Sequence, residues 1–140
     1  MILFGLALVL VQNAAWAADV RDFNVLKGQL FLQTGTGAAT ANGPSPFVMQ
    51  SEGSGQMMGV LTNMTFAKPD MQVVNMSADG DSSFRFEQTF SSQAALDAAF
   101  PNGNYAVTMQ TVNDGNKTGT VLRDGNLYPD TPHISNFTAA

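Results

Sequence analysis

The chain has 140 residues, 44% of them hydrophobic, no cysteine, and eleven acidic against six basic side chains for a net charge of -5. Without cysteine, neither a disulfide nor a thiolate metal site can hold the fold, so burial must do it. The basic residues Arg21, Lys27, Lys68, Arg85, Lys117 and Arg123 stand singly, and phosphate recognition needs them clustered, so nucleic acid is excluded as an expected partner.

The N-terminus has its own logic. Ile2 to Val11 is apolar apart from Gly5, and a polar-to-small stretch follows, ending Ala15-Trp16-Ala17. This is a secretory signal pattern with cleavage expected before Ala18, although no Lys or Arg precedes the apolar run. The run is shorter than the about 20 residues a bilayer span needs, which makes a membrane anchor the weaker reading. Residues 1–17 are therefore expected to be a signal peptide, and the chain secreted, extracellular or at the cell surface, with no membrane span after cleavage. Residues 18–127 are expected to form one domain and 128–140 a linker or the start of a following module. The Asn-x-Ser/Thr sequons at Asn63, Asn75, Asn116 and Asn136 are read as incidental.

Phe23 to Thr34 alternates imperfectly, with Leu30 and Leu32 on one face, Phe31 opposite and Gly28 in the middle, which predicts two short strands or one bulged strand. Residues 35–46, small and punctuated by Asn-Gly and two prolines, read as a mobile loop. Phe47 and Met49, then Met58, Val60, Met64 and Phe66, supply teeth with the period of two that places them on one side of a strand. Ser51 to Gly55 is expected to turn between them. Lys68-Pro69-Asp70 closes that element, and Met71 to Met76 begins another short strand.

Ala78 to Asp81 reads as a turn. Phe84, Phe86 and Phe90 then alternate with Arg85, Glu87 and Thr89, the cleanest strand in the chain with one face buried, and these phenylalanines are expected core residues. Ser91-Ser92 caps a short helix through Gln93 to Ala99, stopped by Pro101. Leu96 and Phe100, four apart, would cover one end of a sandwich. Tyr105, Val107 and Met109 face inward, Asn113 to Asn116 turns, and Thr118 to Leu122 returns antiparallel. The pattern predicts an all-β antiparallel sandwich of about six to eight strands with one short helix near 91–100.

Asn102-Gly103-Asn104-Tyr105-Ala106-Val107-Thr108, followed by Asp114-Gly115, resembles the penultimate strand of secreted bacterial immunoglobulin-like modules, including the polycystic-kidney-disease-like repeats. There a G-x-Y-x-V run precedes an Asp-Gly hairpin. The resemblance implies an immunoglobulin-like sandwich in which Tyr105 fixes the corner into the strand, its buried hydroxyl needing a backbone partner. It covers a packing motif and transfers no activity. The tryptophan and cysteines of antibody-type domains are absent, and a helix replaces the usual connection, so a jelly roll or another sandwich stays open. Tyr128 to Phe137 resembles the linker and first strand of a fibronectin-type module in modular bacterial exoproteins; the alternative is a tail packing Ile134 and Phe137 onto the same domain.

Candidate chemistry is sparse. His133, the only histidine, has no partner nearby in sequence for base catalysis or zinc binding. No Gly-x-Ser-x-Gly elbow is present. Asp79 and Asp81 flank Gly80 and would contribute oxygens to a calcium ion if a third carboxylate joined them, although a turn explains them as well. Methionines cluster between Met57 and Met76, a pattern open to copper, but Met58 and Met64 share parity with Val60 and Phe66, which favours core filling. A glycan platform would need exposed aromatics, and the phenylalanines fall on core parity. The expected role is non-catalytic: a structural, adhesive or spacer module of a bacterial secreted or surface protein, its partners other modules of the same polypeptide or cell-surface components. The alternative is a glycan- or calcium-binding accessory module of a secreted enzyme.

Overall fold

A computed structural model describes residues 2–4, 19–125, 128 and 130–135. Ten strands and one helix follow one another as β1 (Ile2–Phe4), β2 (Val20–Leu32), β3 (Thr40–Ala41), β4 (Phe47–Gly55), β5 (Leu61–Ala67), β6 (Val73–Asn75), β7 (Ser77–Ala78), β8 (Ser83–Phe90), α1 (Gln93–Ala99), β9 (Gly103–Thr111) and β10 (Gly115–Arg123). They pair as one sheet of order β1-β2-β4-β8-β7, with β3 also on β2, and a second of order β10-β9-β5-β6. Every pairing is antiparallel. The protein is thus an all-β sandwich, as the alternating pattern predicts.

The core lies between the sheets because each long strand turns one parity inward. Phe23 and Val25 of β2 and Met49 of β4 meet Met64 and Phe66 of β5 and Tyr105, Val107 and Met109 of β9, all buried. Each fully buried large apolar side chain stabilises the fold by about 1.5–3 kcal/mol. Of the phenylalanines on β8, Phe84 is buried, whereas Phe86 and Phe90 are half-buried and rest against the ring of Phe100 at centroid distances of 5.9 and 6.0 Å. The helix explains this arrangement. Ser92 caps it by accepting from the Ala95 amide, the Phe100 amide closes it on the Leu96 carbonyl, and Leu96 and Phe100 plug that end of the sandwich.

Three expectations are corrected. Ser51 to Gly55 does not turn; it completes β4, paired to both β2 and β8. Its glycines serve close approach: a Cβ on Gly53 would lie 2.4 Å from the Met64 thioether, and one on Gly55 would lie 2.4 Å from the Ser82 hydroxyl. Met58 is not in the core but 78% exposed in the turn before β5, while Met64 is fully buried. The segment 35–46 is a loop, but a tied one: the buried Gln33 side chain donates to the carbonyls of Gly35 and Gly37, and β3 pairs with β2.

β2 is a single strand, with its irregularity at Val20/Asp22 and not at Gly28. The cleavage site expected before Ala18 lies outside the described residues, as does Phe137; Ile2–Phe4 pairs with Leu30–Leu32. Among the described residues no helix is long and apolar enough to cross a membrane.

Candidate functional site

The two ends of the sandwich are closed by different chemistry. At the end where β2 begins, Asp19 is buried. Its carboxylate accepts from the Asn113 amide at 2.7 Å and the Asn113 side chain at 2.9 Å, its own amide donates to Asp114 at 3.0 Å, and its carbonyl accepts from Gln56. The Asn113 side-chain hydrogen bond, followed by that of its backbone, holds the Asp19 carboxyl below the usual carboxylate range against the opposing effect of burial. Asp114 is thereby more than a turn residue: it ties Asp19, just before β2, to the β9–β10 hairpin.

At the other end, Lys27 on β2 turns inward, 5% exposed, and its ammonium lies 2.9 Å from Asp97 on the helix. The Tyr128 hydroxyl also reaches Asp97, at 3.4 Å, while its ring meets Phe47 edge-on at 5.9 Å. Burial, and then the neighbouring Asp97 charge, push the Tyr128 hydroxyl well above the ordinary tyrosine range. Ile134 both donates to and accepts from the Gln33 side chain, and the ring of exposed His133 lies 3.1 Å from the Thr36 carbonyl. Tyr105 finds the backbone partner expected of it, donating to the Pro101 carbonyl at 2.6 Å.

A polar groove of about 360 Å³ crosses the outer face of the first sheet near the end where β2 begins. Three strands bring its charged walls together: Arg21, Asp22 and Asn24 from β2, Glu52 and Ser54 from β4, and Ser83 from β8, with Asp79 beside them. Asp22 accepts from Ser54 at 2.5 Å and from Arg21 at 3.1 Å. Glu52 accepts from Gln50 and pairs with Arg85 at 3.3 Å, and Arg85 also bonds Glu87. A shallower groove, shared through Arg21, Ser54 and Ser83, continues to Met57, Met58 and Asp81.

Asp79 therefore lines the first groove and Asp81 the second, on either side of Gly80. The turn is fastened by its backbone, Asp79 accepting from the Ser83 hydroxyl and donating to the Ser83 carbonyl. Among the described residues no three His, Cys, Asp or Glu side chains are grouped to hold a metal ion. The other carboxylates lining the first groove, Asp22 and Glu52, already carry arginine and neutral donors.

The sequence pattern missed Arg21, Asp22, Glu52 and Arg85 as neighbours. Only the register, which sets Glu52 opposite both Asn24 and Arg85, reveals them. Comparison with models of known protein families, with curated proteins and with solved structures returns no match. Fold and site together define an all-β sandwich with a polar groove on one face and hydrogen-bonded ends.

Proposed function

We propose that this protein is a non-catalytic structural, adhesive or spacer module of a bacterial secreted or surface protein. One observation carries the reading: with the chain starting at Ala18 as expected, its first and last described segments are held at opposite ends of the sandwich. Asp19 and Gln33 flank the 13-residue strand β2, which spans roughly 40 Å at the rise of an extended strand. Asp19 is anchored to Asn113 at one end, and Ile134 is latched to Gln33 at the other. A unit tethered in this way transmits position along its long axis, which is what a spacer between an anchor and an exposed partner requires.

The polar groove supports a second reading, a glycan- or calcium-binding accessory module. Its mixture of arginine, carboxylate, amide and hydroxyl groups matches the few placed polar contacts that fix a small ligand. Calorimetric titration of the exported chain with calcium, together with a soluble-glycan array, separates the two. Absence of saturable binding is the expected result. Saturable binding lost on Asp79→Ala or Asp81→Ala would replace the first reading with the second, and N-terminal sequencing of the exported chain checks the expected start at Ala18.

A further inference from the structure

Strand β2 is bordered on one side by β4 and β3 and on the other by β1. Leu30 turns both of its backbone groups toward the first side: its amide donates to the Pro46 carbonyl at 2.7 Å, and its carbonyl accepts from the Asn42 amide at 2.9 Å. Backbone groups alternate along an antiparallel strand, so the amide and carbonyl of Phe31 point to the outer edge, where Leu3 lies opposite. Ile2 and Phe4 stand opposite Leu32 and Leu30. This edge therefore takes an antiparallel strand of three large apolar residues.

Ile2–Phe4 belongs to the segment expected to be removed before Ala18. A chain that starts at Ala18 keeps the edge and lacks the strand that fills it. Open edges carry unpaired amides and carbonyls, and proteins blunt them with short strands, charges and bulges. Among the described residues the other edges follow that rule. β3, β6 and β7 are two or three residues long, and β10 carries Lys117 and Arg123. Earlier in β2 itself stand the irregularity at Val20/Asp22, the charges of Arg21 and Asp22, and the inward-turned Lys27. Leu30, Phe31 and Leu32 carry no such device.

We propose that in the exported chain the edge at Leu30 to Leu32 pairs with the same edge of a second copy, about a two-fold axis through Phe31; this rests on the expected cleavage before Ala18 of the secreted module proposed above. The sequence selects the occupant. Run antiparallel, Leu32, Phe31 and Leu30 of a second copy set three large apolar residues where Phe4, Leu3 and Ile2 stand. The triplet also reads the same in both directions, so each copy serves the other equally. A two-fold contact of this kind closes on itself and makes a dimer, where a head-to-tail contact would grow a fibre. The two Phe31 residues exchange both backbone hydrogen bonds at a Cα separation of about 5.5 Å, and each Leu30 faces the second copy's Leu32 at about 4.5 Å. A seat this small lies at the weak end of specific interfaces, so the dimer is transient. Pairing two modules doubles whatever weak surface contact each one makes.

The test is sedimentation equilibrium of the exported chain at up to about 1 mM, with its first residue read by N-terminal sequencing. A monomer–dimer equilibrium is expected. Leu30→Lys combined with Leu32→Lys sets lysine opposite lysine twice and is expected to weaken dimerisation at least about tenfold; Leu30→Lys combined with Leu32→Glu sets lysine opposite glutamate and is expected to restore it. Both double variants burden the half-buried leucine positions alike, so the difference between them reports the pairing. Hydrogen exchange reads the same edge without any substitution: the Phe31 amide is expected to gain protection as the parent is concentrated.

A chain that begins at Ala18 and stays monomeric overturns the pairing while leaving the secreted module standing. Equal dimerisation of the two double variants, or protection gained on another strand and not at Phe31, overturns the edge. An exported chain that still begins at Met1 removes the cleavage reading, and this inference with it, because its edge stays filled.

Discussion

Removal of one oxygen tests the corner that leads into β9. Tyr105 is fully buried, its ring 6.2 Å from that of Phe66, and its hydroxyl donates to the Pro101 carbonyl at 2.6 Å. Tyr105→Phe deletes that hydrogen bond and keeps the ring. A net intramolecular hydrogen bond contributes about 0.5–1.5 kcal/mol, and the half-exposed Pro101 can recover water, so the expected cost is about 1 kcal/mol. Tyr105→Ala also empties the ring's space, with an expected cost of about 3–5 kcal/mol. Urea unfolding at neutral pH should show the two losses as shifts in midpoint with an unchanged slope.

The same hydroxyl makes an alkaline prediction. Burial pushes its pKa up to about 12, against about 10 in an unfolded chain. Above pH 10 the unfolded state therefore loses this proton before the native state does. The stabilisation is complete below about pH 10 and is lost as pH rises toward about 12. Tyr105→Phe should remove part of that alkaline loss, the remainder belonging to Tyr128, whose hydroxyl is also raised by burial. A Tyr105→Phe variant as stable as the parent, with an unaltered alkaline profile, would refute the idea that this bond secures the corner.

Other outcomes follow from the same geometry. Asp97→Ala strands the buried Lys27 ammonium and should cost about 2–3 kcal/mol in chemical denaturation, less than for a fully dry pair because Asp97 keeps some solvent; Lys27→Met should cost under about 1 kcal/mol. Gly55→Ala drives a methyl into the Ser82 hydroxyl that accepts from the Leu61 amide, and thermal unfolding should register about 1–3 kcal/mol. Asp19 has a lowered native pKa, so it stabilises the fold above the ordinary carboxylate range, and that contribution is lost as pH falls through its native value. Asp19→Asn should flatten the acid limb of a stability-against-pH curve, and an unchanged limb would remove Asp19 as the anchor.

Much of the fold was legible because its rules are local. The period of two in Tyr105, Val107 and Met109, the hydroxyl cap at Ser92 and the helix before Pro101 needed no distant partner to be read. The segment Ser51 to Gly55 was misread for the converse reason. Its serines and glycines carry turn propensity, but their smallness answers to Met64 and Ser82 on chain segments that only folding brings near. Met58 failed similarly, since parity counted through a turn has no meaning once the strand has ended.

The candidate site was less legible than the fold. Asp79 and Asp81 could be picked out as a pair flanking a glycine, but the groove that Asp79 borders is made by Arg21, Asp22, Glu52 and Ser83, gathered from three strands by register. The edge at Leu30, Phe31 and Leu32 is invisible until the same pairing is known. By itself, the sequence determined the sandwich class, the helix and the corner tyrosine, because hydrophobic periodicity and capping act over a few residues. Only the tertiary structure decided which polar side chains face one another and which face of the sandwich carries charge, because strand order and register join residues far apart in the chain.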